Sequence, residues 1–380
     1  NVLRTSRMWI TDDILRKEDT DPVEVFILGL IDRNMVQILE IIIDYLLNFC
    51  AAEKRSFSYL LLEIINKYDI KIDKVISSNL VFSFGKIKNK IFGENFRLLE
   101  NFDTLYNFKF ENVVFSNINM MNIARKTPVK NISVNYKACT FNGVTIGENA
   151  VIEESNFTRC IFKNCRINFK NTSGISDTVF KDCIFSRCVF EETIFFKCTF
   201  QNVKFSMSNF YTDSRGLFQK SILIDCHIEK CFVKSGEELQ KYLIRDTVFD
   251  NVSILDCNID IYFGKVYENE STCQIASIKM TDCSITNTNI GSIHVTHSQF
   301  IDTSICDCCF KNTTIRASIF NDVNVKKTSC DYFTMNQCHL TESNFSENKI
   351  STFDISYSSI IGCNIKNLKS FSRAEAVEIK

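Results

Sequence analysis

The side chains in this 380-residue sequence that could carry chemistry are eighteen cysteines, four histidines and a spaced set of aspartates. Thiolates and imidazoles bind zinc or act as nucleophile and base, and neighbouring carboxylates exchange protons. Spacing argues against most of this. His227, His294, His297 and His339 fall at outward positions of a repeating pattern, as do Cys306 and Cys309. A Cys306/Cys309/His297 metal site would need one face, and the register puts these residues on different sides. Asp282, Asp302 and Asp322 recur every twenty residues. Such a column suits a polysaccharide surface or an acid–base pair, but more simply a solvated face. The sequence has no GxxxxGK[ST], GxSxG or HExxH, so nucleotide, serine-hydrolase and zincin chemistry lack a starting residue. The residues therefore imply no catalytic site, cofactor or metal, and no enzyme within this chain, with the full-length protein left open.

These residues sit on a count of five. Ile275, Met280, Ile285, Ile290 and Val295 begin a run that continues at the same step to Ile365. All nineteen of its positions are apolar or thiol. Two residues before each comes a mostly smaller register, including Cys273, Cys283, Thr288, Ser298, Cys308, Thr313, Cys338 and Cys363. A helix buries a stripe at period 3.6 and a half-exposed strand at period 2, so five fits neither. It fits a chain that turns a corner every five residues. Four sides close a square coil of about twenty residues, and coils stack at about 4.8 Å. With only eleven glycines in the chain, most corners are expected to avoid positive φ.

The runs CIFSRCVFEETIFFKCTFQNVKFSMSNF (183–210) and CDCCFKNTTIRASIFNDVNV (306–325) resemble pentapeptide-repeat proteins. That resemblance implies a right-handed quadrilateral β-helix. The family favours Ala and a central Leu where this chain uses Cys, Thr or Ser and Phe or Ile. The expected fold class is mainly β, a pentapeptide-repeat solenoid with an N-terminal α-helical domain. The expected division is 1–104 helical and capping, 105–367 β-helix, and 368–380 a C-terminal cap opening a helix.

Fifteen of the cysteines fall on the inward registers, where free Cys acts as a small hydrophobe. They predict reduced thiols and a cytoplasmic, reducing compartment, with secretion into a host cytosol as a further expectation. A net charge of −1 gives no global reason to bind nucleic acid. No run of eighteen apolar residues predicts a membrane span, and NVLRTSRMWITDD has no secretory pattern.

In chain order, DPVEVFILGLIDRNMVQILEIIIDYLLNF (21–49) reads as two packed helices, with a third over 56–68. From Phe180 the phase locks, so Phe180 should stack on Phe200, Phe185 on Phe205 and Phe190 on Phe210. The period fails at 211–222, 234–246 and 260–272, which read as loops leaving the coil. They hold the candidate partner-binding residues Tyr211, Arg215, Tyr242, Arg245, Tyr262 and Tyr267, of types favoured at interfaces. These residues could equally pack over the coil's flank. Ser372 to Glu375 has the form of a capping box.

The resulting expectation is a non-catalytic protein-binding scaffold of the bacterial effector type. It docks a protein partner, host proteins included, through loops and faces, and a homodimer is left open. The alternative is the substrate-recognition portion of an effector ubiquitin ligase whose catalytic domain lies outside this chain. A DNA-mimic topoisomerase inhibitor is weaker, because residues 275–365 carry eight acidic against six basic side chains. Outward substitutions such as Asn287→Asp are expected to be neutral.

Overall fold

The computed structural model describes residues 81–83, 86–88, 91–92, 104–106, 109–118, 129–147, 150–169, 174–212, 216–235, 243–260, 275–365 and 378–379. The three helices expected within 21–68 lie outside these residues. Every strand pairing is parallel, and each coil lies on the next. The result is a β-solenoid with the four sides that the count of five requires.

Each side is a ladder of inward residues. The first runs through Ile152, Ile175, Phe195, Phe218, Ile244, Ile275, Val295, Ile315, Met335 and Ile355. The second includes Phe110, Tyr136, Phe157, Phe180 and Phe200. The third includes Phe115, Phe141, Phe162, Phe185 and Phe205. The fourth runs through Ile146, Ile167, Phe190, Phe210, Val233, Ile259, Ile290, Phe310, Cys330 and Ile350.

The expected stacks form. Phe180 and Phe200 lie 5.0 Å apart, Phe185 and Phe205 4.9 Å, and Phe190 and Phe210 4.7 Å, all near parallel. Edge-to-face contacts tie the columns of the second and third sides together, as between Phe180 and Phe185. Beyond Phe205 the third side narrows to Ile228, Ile254, Ile285 and Ile305, which are only partly buried. Short branched side chains fill the interior less fully than phenyl rings.

The smaller inward register has a hydrogen-bonding reason. At this position the backbone N–H bonds a hydroxyl of the next coil, as Val134 N–H donates to Ser155 Oγ and Cys338 N–H to Ser358 Oγ. That hydroxyl then donates to the carbonyl two residues before it, as Ser155 does to Glu153. Thiols make the same donation, Cys183 to the carbonyls of Lys181 and Phe157. Ser, Thr and Cys are therefore selected both by size and by a buried backbone group that must be satisfied.

The corners overturn the expectation of negative φ. Thirty-three described non-glycine residues have φ between 47° and 61°, two residues after an inward centre. Fifteen are Asn or Asp, which tolerate this region; Lys197, Met207 and Tyr357 adopt it as well. Interaction with the next coil overrides local preference: the corner N–H of Asp282 donates to the carbonyl of Ile301, and that of Lys197 to Gln219. In the late coils only three corners turn this way. At the fourth, the strands Cys309–Arg316, Ser329–Asn336 and Lys349–Ser356 run straight through. Phe333 and Phe353 fill that unturned corner, both buried and stacked 5.4 Å apart.

Both ends differ from the expected boundaries. Val81–Ser83, Lys86–Lys88 and Ile91–Phe92 already pair into the ladders, so the coil extends N-terminal to residue 105. Glu378–Ile379 pairs with Ser359 and Ile360 as a strand, where a helix opening at Ser372 was expected. The open edge of the last coil offers backbone groups that an added strand satisfies and a short helix cannot.

Candidate functional site

Interruptions of the coil share one corner. From a fourth-side centre to the next first-side centre the regular step is five, as from Phe190 to Phe195 and from Ile290 to Val295. From Ile167 to Ile175 it is eight, and from Phe210 to Phe218 again eight. It then grows to eleven from Val233 to Ile244 and to sixteen from Ile259 to Ile275. Three consecutive coils thus carry extra chain at the same edge. The ladders on either side remain in register, so the added residues do not disturb the core.

The loops are narrower than the sequence suggested. Tyr211 and Thr212 remain in the fourth-side ladder opposite Lys234 and Ser235, and Phe218 and Gln219 have rejoined the first side. Likewise Ile244 and Arg245 lie in the ladder between Phe218–Gln219 and Ile275–Ala276. The departure therefore spans far fewer residues than 211–222 or 234–246, because backbone pairing resumes as soon as an apolar centre is available.

Of the six candidate residues, the structure describes two. Tyr211 is exposed on the fourth side and meets Phe232 edge to face at 6.3 Å. Arg245 is exposed on the first side beside its following corner, its Nε 3.2 Å from Asp246 Oδ2. Tyr211 stands before the loaded corner, and Arg245 on the far end of the side that follows it. Arg215, Tyr242, Tyr262 and Tyr267 lie outside the described residues.

The corner between the second and third sides carries an arrangement that the sequence only partly revealed. Asp182, Asn202, Asp225, Asn251, Asp282, Asp302, Asp322 and Glu342 follow one another in successive coils, all at positive φ. Amides damp repulsion where they alternate: Asn202 donates to Asp182 at 2.9 Å and Asn251 to Asp225 at 2.8 Å. Where three aspartates follow without an amide, reduced hydration and then the charges of Asp322 and Asp282 raise the Asp302 carboxyl above its ordinary value. A fixed step of twenty links Asp282, Asp302, Asp322 and Glu342, and separately Asp182 and Asn202. Inserted residues between Asn202 and Asp282 hid the continuity of the column.

On the third side Glu229 accepts from Ser206 and faces Lys204 Nζ at 3.0 Å and His227 Nε2 at 3.0 Å. Lys204 first, then His227 and Ser206, hold its carboxyl down to about 2. His294 is half-buried, and burial first, then Arg316, lowers its imidazole. His297 lies at the corner after the first side, Cys306 on the third side and Cys309 on the fourth, so no side gathers the three. Thirteen of the described cysteines are buried and unpaired, Cys306 and Cys363 are partly exposed, and Cys309 is exposed. No helix among the described residues is long and apolar enough to cross a membrane.

Residues 175–210 match the model for pentapeptide repeats, in eight copies. No curated protein matches the sequence. Among solved structures, QnrB1, described as a plasmid-mediated fluoroquinolone resistance protein, shares 12% identity. That match covers 54% of this chain and 86% of QnrB1, with a TM-score of 0.25. HetL, a pentapeptide repeat protein involved in heterocyst differentiation regulation from the cyanobacterium Nostoc sp. strain PCC 7120, shares 7%, covering 68% and 88% at a TM-score of 0.19. The A-module of the Azotobacter vinelandii mannuronan C-5 epimerase AlgE6 shares 8%, covering 90% and 93% at 0.34. Residues 175–210 thus carry pentapeptide repeats, and the same five-residue ladder continues through the late coils to Ile365.

Proposed function

We propose that this chain is a non-catalytic protein-binding scaffold of the effector type, docking a protein partner at the corner where its insertions leave. The observation that carries this reading is the placement of extra chain at one edge in three consecutive coils. Random insertion would spread over four corners. Here the remaining three keep their turns, and the interface-prone residue Tyr211 stands beside the loaded one. The family match supports a scaffold without chemistry of its own.

The acidic edge supports a second, weaker reading as a mimic of duplex DNA. One carboxylate or amide per coil, about 4.8 Å apart, gives about one-third of the charge density of a duplex, which carries one charge per ~1.7 Å. With two of the eight positions neutral amides, the field falls short of a duplex.

The test is affinity capture from host-cell and bacterial lysates, with the chain as bait. The control replaces 236–242 and 261–274 with ordinary five-residue corners. A partner lost in the control supports docking at that corner. A partner retained moves the site to the regular faces.

A further inference from the structure

Two cysteines of successive coils adjoin inside the corner between the third and fourth sides. Cys231 and Cys257 precede the fourth-side centres Val233 and Ile259, and both are buried. The N–H of Asn258 donates to the Cys231 carbonyl at 2.9 Å, which fixes the two residues in register. Their thiols take one orientation: Cys231 Sγ lies 3.3 Å from the Glu229 carbonyl oxygen, and Cys257 Sγ 3.2 Å from that of Leu255. Coils about 4.8 Å apart therefore hold the two sulfurs at about that separation. A disulfide asks for Cβ atoms about 3.8 Å apart, closer than the ladder sets them. A soft cation with metal–sulfur bonds of about 2.3 Å spans about 4.6 Å in a straight line, and fits with neither strand moved. Packing alone does not call for sulfur here. Ser208 and Thr288 fill the same register one coil before and one coil after, with the same donation to the carbonyl two residues back.

We propose that Cys231 and Cys257 form a site for one soft monovalent cation of the Cu(I) type, held in a line between the two sulfurs. One sulfur binds as a thiolate, its S–H proton leaving to solvent as the metal–sulfur bond forms, and the other binds as a neutral thiol. The buried site then carries no net charge. Among the described residues no three metal-ligating side chains meet. That suits an ion satisfied by two sulfurs and not zinc, which takes four ligands. Entry is easiest at this pair, because the neighbouring third-side centres Ile228 and Ile254 are only partly buried. Cys160 and Cys183, by contrast, lie beneath the stacked rings of Phe157, Phe180, Phe162 and Phe185. The site stands apart from the corner that carries the insertions and does not depend on a docked partner.

The probe is Cu(I) alone, added without oxygen to the full chain. A chelator strips weakly held ions, and native mass spectrometry counts those that remain. Every sample carries Cys306→Ser, Cys309→Ser and Cys363→Ser, which removes the accessible described thiols. Cys257→Ser is expected to hold one ion fewer than this background. Cys226→Ser is the control, since Val203 and Val252 adjoin it in the coils before and after, and it should hold the same number as the background. The ion lost in Cys257→Ser should be one whose affinity rises about tenfold per pH unit on the acid side of neutrality, as one proton leaves for each ion bound. Circular dichroism confirms that each variant is folded, and Cys231→Ser supplies the same comparison if Cys257→Ser does not fold. An unchanged count in the folded pair variants overturns the proposal. So does an equal loss in Cys226→Ser, an affinity indifferent to pH, or a chain two hydrogens lighter that maps to a Cys231–Cys257 disulfide.

Discussion

Phe195 lies edge to face with Phe200 at 5.2 Å and stacks on Phe218 of the next coil at 5.4 Å, with no solvent exposure. Three links meet in that relationship: the step of five, the corner between sides, and a ladder that survives an insertion.

Truncation should therefore be costly. Phe195→Ala removes rings on two axes of contact and is expected to destabilise by about 3–5 kcal/mol. Phe195→Asp buries an unpaired charge and should unfold the coil outright. The denaturant midpoint measures both. A loss below about 1 kcal/mol for the alanine variant would contradict the core assignment.

Asn287 shows why outward does not mean inert. Its amide donates to Asp256 at 2.7 Å across neighbouring coils. Asn287→Asp replaces that bond with two facing carboxylates, and should cost about 0.5–1 kcal/mol at neutral pH. The loss should shrink on acidification. A variant indistinguishable from wild type in urea would restore the simpler expectation of neutrality.

Two carboxylates should respond to acid in opposite directions. Glu229 titrates lower in the folded chain, near 2 against an ordinary 4.5, so the unfolded chain binds more protons between those values. Its contribution is present above about pH 4.5 and lost as pH falls toward 2. Asp302 titrates higher in the folded chain because of reduced hydration and its neighbours Asp322 and Asp282. There the folded chain binds more protons, so stability falls as pH rises from the ordinary aspartate value of 3.8 through the raised one. Glu229→Gln should lose stability at neutral pH, and Asp302→Asn should gain it. Urea midpoints for the two variants across acid pH test the signs.

The coil geometry was legible in the sequence, down to which phenylalanines stack. The corners were not. Rules built on glycine preference predict negative φ where Lys197 and Met207 adopt about +50°, because the ladder bond made by each corner N–H outweighs a local cost of about 1–2 kcal/mol. A signal for the unturned corner was present in Phe333 and Phe353, the two aromatic residues in a register of otherwise smaller side chains, mostly Ser, Thr and Cys. The shared edge of the insertions could have been found by counting steps between centres. The acidic edge could not be seen from fixed spacing, since Asp225 to Asp282 spans two insertions.

Two positions separate close packing from backbone strain. Gly174 has φ 82°, and a side chain there would meet the Ile194 carbonyl oxygen at 2.6 Å. Gly174→Ala should cost about 1–3 kcal/mol, since the obstacle is backbone. Ala317 sits at φ 50° at a half-buried corner, and Ala317→Asn should stabilise by about 0.5–1 kcal/mol. Thermal midpoints moving the other way would place the corners elsewhere.

Thiol accessibility gives an independent reading of the register. Under native conditions a small alkylating reagent should modify Cys309 first and Cys306 and Cys363 more slowly, while Cys160, Cys183 and Cys198 react only on unfolding. Peptide mass mapping would report the order. Early modification of Cys183 would place it outside the core.

The most direct measurement shortens the chain. A variant in which 236–242 and 261–274 are trimmed so that Val233 to Ile244 and Ile259 to Ile275 each return to the regular step is followed for unfolding and partner capture together. An insertion that only decorates one corner predicts an intact, equally stable coil that has lost its partner. A variant that fails to fold, or that folds and keeps the partner, would contradict the account.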